Sequence, residues 1–151
     1  MTQFRQVNQR EIMMVLSIGL AIILGFVAGL HVFWAFGGSW AKGAAIPELN
    51  GKRVFTPSRA VTLLVAAALL IAAACALVRG EVMSASEVRS LAQVGCWVLA
   101  AVFGVRAIGE GKYVGFTKRV RNTSFARNDT RFYSPLCALL AVGFLALALA
   151  R

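Results

Sequence analysis

Apolar residues fall along this chain in four long, nearly unbroken stretches, at 12–36, 59–78, 88–109 and 132–150, not at the spacing of an amphipathic surface helix. Between Val61 and Val78 only Thr62 and Cys75 interrupt the run. Each stretch approaches or exceeds the ~20 residues that cross about 30 Å of hydrocarbon at ~1.5 Å per residue. Charges fence them: Arg10 and Glu11 before the first, Arg79 and Glu81 after the second, Glu87 and Arg89 at the start of the third, Arg131 and Arg151 about the fourth. The pattern predicts an all-α integral membrane bundle, with four transmembrane helices and three loops in a single membrane domain over residues 1–151. Arg5 and Arg10 ahead of the first stretch imitate a signal peptide. A run over 12–36 far exceeds an h-region of roughly 7 to 15 residues, so it reads as a retained anchor.

Composition agrees with this picture and narrows it. With 59% of 151 residues hydrophobic and 15% charged, and a mean hydropathy of +0.74, the chain is neither disordered nor a disulfide-built secreted module. Its net charge of +10 would suit a nucleic-acid binder. Those cations lie within a few residues of the bilayer, so no nucleic-acid partner is expected. They set orientation instead. Ten Lys and Arg lie in the first loop (Lys42, Lys52, Arg53, Arg59) and third loop (Lys112, Lys118, Arg119, Arg121, Arg127, Arg131). Five lie on the other side, at Arg5, Arg10, Arg79, Arg89 and Arg151. The bias puts loops one and three in the cytoplasm and both termini outside. Cys75, Cys96 and Cys137 occupy three different stretches without a CxxC pair, and behave as small hydrophobes. A single histidine, His31, offers no paired axial ligands for haem. No cofactor and no metal site is expected.

The second and fourth stretches open alike. Arg53, Val54, Phe55, Thr56 and Pro57 match Arg131, Phe132, Tyr133, Ser134 and Pro135 at an offset of 78. Two readings account for it: independent helix starts with a hydroxyl N-cap and proline at the first position, or a duplicated helical hairpin. The same offset carries His31 to Gly109, beside Glu110, which sets the histidine and the acid at equivalent depth.

Polar residues crowd one end of the bundle: His31, Trp34, Gly37, Gly38 and Trp40 from the first half, and Arg106, Glu110, Lys112, Tyr113, Lys118, Asp129 and Tyr133 from the second. Arg106 and Glu110 are four apart, so a continuing helix would pair them on the face that carries Tyr113. Arg106 either snorkels to the interface or holds a carboxylate in low dielectric, a charge at mid-bilayer costing about 2.5 to 3.5 kcal/mol. His31 is either an acid/base partner for Glu110, the two being the candidate catalytic residues, or a donor to a helix carbonyl. Trp34 and Trp40 are interfacial anchors or pocket walls. Lys118, Arg119 and Arg121 either attract anionic lipid diffusely or build a specific phosphate or headgroup site. Ser17, Ala21, Gly25 and Gly29 form a small-residue ladder for close helix packing, within the bundle or in a homo-oligomer through Gly25 and Gly29.

The patterns His31, Phe33, Trp34, Gly37, Gly38, Trp40 and Gly109, Glu110, Tyr113, Gly115, Phe116, Lys118, Arg119 resemble those of a family of small bacterial four-helix membrane proteins classed only as a domain of unknown function. The similarity spans nearly the whole chain. It implies a multi-pass protein of the bacterial cytoplasmic membrane and no particular activity. The expected function is binding of a membrane lipid or small amphiphile at the face of loops one and three, with His31, Trp34, Arg106, Glu110, Tyr113, Lys118, Arg119 and Arg121 as ligand-binding residues. The alternatives are an isomerase or hydrolase of a lipid-like substrate using His31 and Glu110, and a small transporter subunit.

Overall fold

The computed structural model describes residues 2–41, 45–49 and 52–150, with side chains over 7–41, 45–47 and 54–150. Lys42 and Arg151, and the side chains of Arg5, Lys52 and Arg53, lie outside this description. The chain is an all-α membrane bundle of four spanning helices. Helix α1 covers Thr2–Ala35, α2 Arg59–Arg79, α3 Arg89–Ile108, and the last span joins α4, Ser124–Asn128, to α5, Ser134–Leu149, through a wide turn at Asp129–Tyr133. The stretches apolar enough to cross a membrane are Val7–Ala35, Arg59–Arg79, Ser86–Ile108 and Ser124–Leu149. Loop one also holds a two-residue antiparallel ribbon, β1 (Glu48–Leu49) against β2 (Lys52–Arg53), which hydropathy does not announce.

Helix ends follow local chemistry. Gly37, at φ +98°, lets α1 close with two reversed bonds, Gly38 N–H to Phe33 C=O at 2.9 Å and Gly37 N–H to Trp34 C=O at 3.2 Å. This is the left-handed glycine stop, with the Phe33 ring over Gly38 as its apolar contact. Ser58 caps α2, its hydroxyl accepting from Val61 N–H at 3.3 Å.

The two aligned helix starts therefore differ from the sequence expectation. Thr56 and Pro57 precede α2 and do not form its cap and first turn. Ser134 is not a cap either, because the chain is already helical from Ser124, where Thr123 caps with its hydroxyl accepting from Ala126 N–H at 3.1 Å. Pro135 lacks the N–H that would continue the ladder. The turn before it widens, Ser134 N–H reaching back five residues to Asp129 C=O, and the helix passes the proline without breaking. The fourth span so begins at Ser124, eight residues before the apolar run.

Packing is most extensive between α1 and α2 and between α3 and α5, two antiparallel pairs laid side by side. Leu20, Leu24, Ala72, Ala73, Ala76, Cys96, Leu140, Phe144 and Leu147 form the core, with Phe103 stacked on Phe144 at 5.8 Å. Small residues set the approach distances. A side chain at Gly80 would collide with Ser17 across the α1/α2 pair, and one at Gly143 would press on Leu20. Of the expected ladder, Ser17 is buried within the bundle, while Gly25 and Gly29 look onto open space. The end remote from loops one and three is tied as well as turned. Arg79, only 6% exposed, donates to Ala150 C=O, and Gln93 donates to Ala148 C=O at 3.0 Å, satisfying carbonyls at the end of α5. Glu81 bonds Arg89 and lies 3.8 Å from Arg10.

Candidate functional site

Helix α3 stops at Ile108 because Gly109 takes φ +91° and ψ 174°, a conformation that only glycine adopts readily. The chain then folds back onto the helix end. Phe116 N–H bonds Ala107 C=O at 2.9 Å, Thr117 N–H bonds Ile108 C=O at 3.1 Å, and the Thr117 hydroxyl donates to the same oxygen at 2.8 Å. Gly109 and Gly115 meet backbone to backbone, so a Cβ on either would strike the other strand of the loop.

That reversal separates Glu110 from Arg106, and the expected ion pair does not form. The Glu110 carboxylate instead accepts three amides of the loop: Tyr113 at 2.7 Å, Lys112 at 3.2 Å and Val114 at 3.3 Å. Desolvation works against its ionisation, but donation from Tyr113, Lys112 and Val114 outweighs it and holds the carboxyl below the usual carboxylate range. Tyr113 lies in the same turn, its ring under the Lys112 ammonium at 4.9 Å.

The partner of Arg106 is Asp129, 23 residues on, fully buried, with Nη2 to Oδ1 at 3.0 Å. The other oxygen, Oδ2, accepts from Gly115 N–H at 2.9 Å, Lys118 Nζ at 2.9 Å and the Ser134 hydroxyl at 3.0 Å. One carboxylate thereby ties α3, loop three and α5 together. Lys118, 2% exposed, also donates to Gly115 C=O at 2.9 Å. It was expected to face an anionic ligand beside Arg119 and Arg121; its ammonium is engaged within the protein. Lys118 and Asp129 form a buried, hydrogen-bonded ion pair, the form in which such charges are tolerated.

Outside this hub lies an open cleft of about 460 Å³. Phe116 and Ala126 give it an apolar side, and Arg121, Arg127 and Arg131 a cationic one. Arg121 is steadied by its Nε donating to Lys118 C=O at 3.3 Å, and Arg127 by donation to the Ser124 hydroxyl at 3.2 Å. Arg119 is exposed but does not line the cleft. Arg127 and Arg131 do, because α4 and the wide turn carry them on one face, four residues apart.

In the loop-one half, His31 is half-buried. Its Nδ1 lies 2.8 Å from Val27 C=O, an oxygen that only accepts, so Nδ1 carries the proton. The ring leans on Trp34 at 5.2 Å, and Trp34 donates to Trp40 C=O at 2.8 Å, fixing the aromatic corner after α1. Among the described residues no hydrogen bond or ion pair joins His31 to Glu110. The structure thus gathers Arg106 and Lys118 around Asp129, sets Arg121 in the cleft outside that hub, keeps Glu110 and Tyr113 in an adjoining turn, and leaves His31 and Trp34 in a cluster of their own. Asp129 is visible in the sequence only as the sole acid between Lys112 and Arg131. Its uniqueness there was the signal.

A family model described as Protein of unknown function (DUF3995) matches residues 24–144. The chain belongs to that family, and the match takes in both aromatic and glycine-rich patterns and the Asp129 hub. Neither the curated proteins nor the solved structures give a match.

Proposed function

We propose that this family member binds an amphiphile of the membrane at the face built by loops one and three. The observation that carries the proposal is the cleft beside Asp129, which sets an apolar wall against three arginines at the head of a spanning helix. An amphiphile needs that combination, with its head on the charges and its chain along the adjoining hydrocarbon. The contact residues proposed here are Arg121, Arg127, Arg131 and Phe116. Arg106, Lys118 and Glu110 hold the loop, and His31, Trp34 and Trp40 border the same membrane interface from loop one. The enzymatic alternative requires His31 and Glu110 to act together, and the partners of each speak for structural roles.

The excess of cations in loops one and three supports placing them in the cytoplasm, with both termini outside, in a bacterial cytoplasmic membrane. Gly25 and Gly29, open along α1, are the proposed contact if copies associate. Native mass spectrometry in mild detergent tests the central reading. The wild type is expected to carry a small molecule of defined mass, and the Arg127→Gln, Arg131→Gln variant to lose it. A bare wild-type protein that takes up no added amphiphile would overturn the proposal.

A further inference from the structure

The charges around the cleft do not balance. Between residues 112 and 131 the chain has one carboxylate, Asp129, and both of its oxygens point inward to Arg106, Lys118, Gly115 and Ser134. With no exposed surface, Asp129 offers nothing to the cleft. The buried hub itself sets two cations against one anion. Arg121, Arg127 and Arg131 therefore line the opening without a carboxylate partner among the described residues. Arg121 and Arg127 are each steadied by one donor nitrogen, which leaves the rest of each guanidinium fork open. The Arg131 side chain has no ion-pair partner among the described residues. Such forks match the oxygens of a phosphate, two N–H groups to two oxygens, better than any other common anion except a carboxylate.

Three uncompensated guanidiniums exceed what one singly charged phosphodiester can neutralise. Phe116 and Phe132, both exposed, stand beside these arginines at the head of the fourth span. Aromatic rings at that level suit the boundary between headgroups and acyl chains. We infer that the cleft is a site for a phosphate group carrying about two negative charges, as in a phosphomonoester lipid, with Arg121, Arg127 and Arg131 gripping the oxygens and Phe116 against the first part of the chain. This rests on the amphiphile reading and names the chemistry of the head. Lys118 is a positioning residue here, holding the loop through Asp129.

The test is a titration of the delipidated full-length protein in mild detergent, read by native mass spectrometry, with phosphatidic acid, phosphatidylglycerol and phosphatidylcholine of identical chains, and separately with inorganic phosphate. Phosphatidic acid is expected to bind at least about tenfold more tightly than phosphatidylcholine, with phosphatidylglycerol between them. Arg127→Gln or Arg131→Gln should each weaken phosphatidic acid by about tenfold, the loss of one charge-assisted contact. Arg10→Gln makes the same charge change at the far end and should leave binding unaltered. Circular dichroism of each variant separates lost binding from lost fold. Phe116→Ala should weaken phosphatidic acid and leave inorganic phosphate unchanged if the source is lipid. Inorganic phosphate competing at equal affinity, indifferent to Phe116, would support the anion site and assign it to the free ion. Equal binding of all three lipids, weakened alike by the arginine variants, would overturn the inference while the amphiphile reading stands. Uptake of no lipid at all would overturn both.

Discussion

Asp129 is the residue on which the polar end depends. A buried carboxylate with four donors is stable only while its cations stay paired, and Lys118, 2% exposed, needs it more than Arg106, whose side chain is 33% exposed. Asp129→Asn keeps the shape but leaves Lys118 buried without counter-charge. It is expected to cost about 3–5 kcal/mol, the usual penalty for removing one partner of a buried pair. Thermal unfolding in detergent followed by circular dichroism measures this; a midpoint equal to that of Glu110→Gln would contradict it. Glu110 is an exposed counterpart with a pH signature. Its folded carboxyl ionises below the usual range, so its support of the loop is complete above the ordinary glutamate titration and is lost as pH falls through the lowered value. Amide exchange at residues 112–114 should keep its protection through the ordinary range and lose it only at more acid pH. Protection that disappears in the ordinary range, or is indifferent to Glu110→Gln, would show that the carboxylate does not organise the turn.

Among the elements, loop three behaves as a folded extension of α3. Its return rests on Gly109 and Gly115, which touch through backbone atoms and hold φ of +91° and +80°. Gly109→Ala is expected to cost about 1–3 kcal/mol from the backbone conformation alone, before the collision with the Val114 carbonyl. Limited trypsin digestion reads the result directly, since the loop is rich in Lys and Arg. The wild type should resist cleavage near residues 118–121 and the variant should be cut there; equal rates would refute the packed loop. These elements also show how far the sequence could be read. Four spans were legible because continuous apolar runs admit few other structures. The start of the fourth was not, because helix formation there depends on a cap at Thr123 and on a turn that accommodates Pro135, neither of which hydropathy records. Arg106 was legible as a charge needing a partner. Its true partner is 23 residues distant and reached only by a chain reversal, whereas local spacing pointed to Glu110. The sequence places Arg121 among candidate anion-binding cations; Arg127 and Arg131 line the same cleft as Arg121 through the face they share once α4 is helical.

Taken whole, the molecule is asymmetric along its long axis. One end is tied by Arg79 and Gln93 to the last carbonyls of α5 and by Glu81 to neighbouring arginines. The other carries a buried charge hub under an open cationic cleft. Between them the core is predominantly apolar, which suits a bundle that holds its shape in lipid and presents its chemistry at one interface. The central claim is that an anionic amphiphile occupies that cleft. Site-directed photo-crosslinking in native membranes tests it most directly, with a photoreactive side chain placed at Phe116 and, for comparison, at Leu70, which is exposed along α2. The account predicts a lipid adduct at 116 enriched in phosphate-bearing anionic species and reduced by Arg127→Gln, Arg131→Gln, against a 70 adduct that mirrors the bulk membrane. Adducts of the same composition and yield at both positions would contradict it.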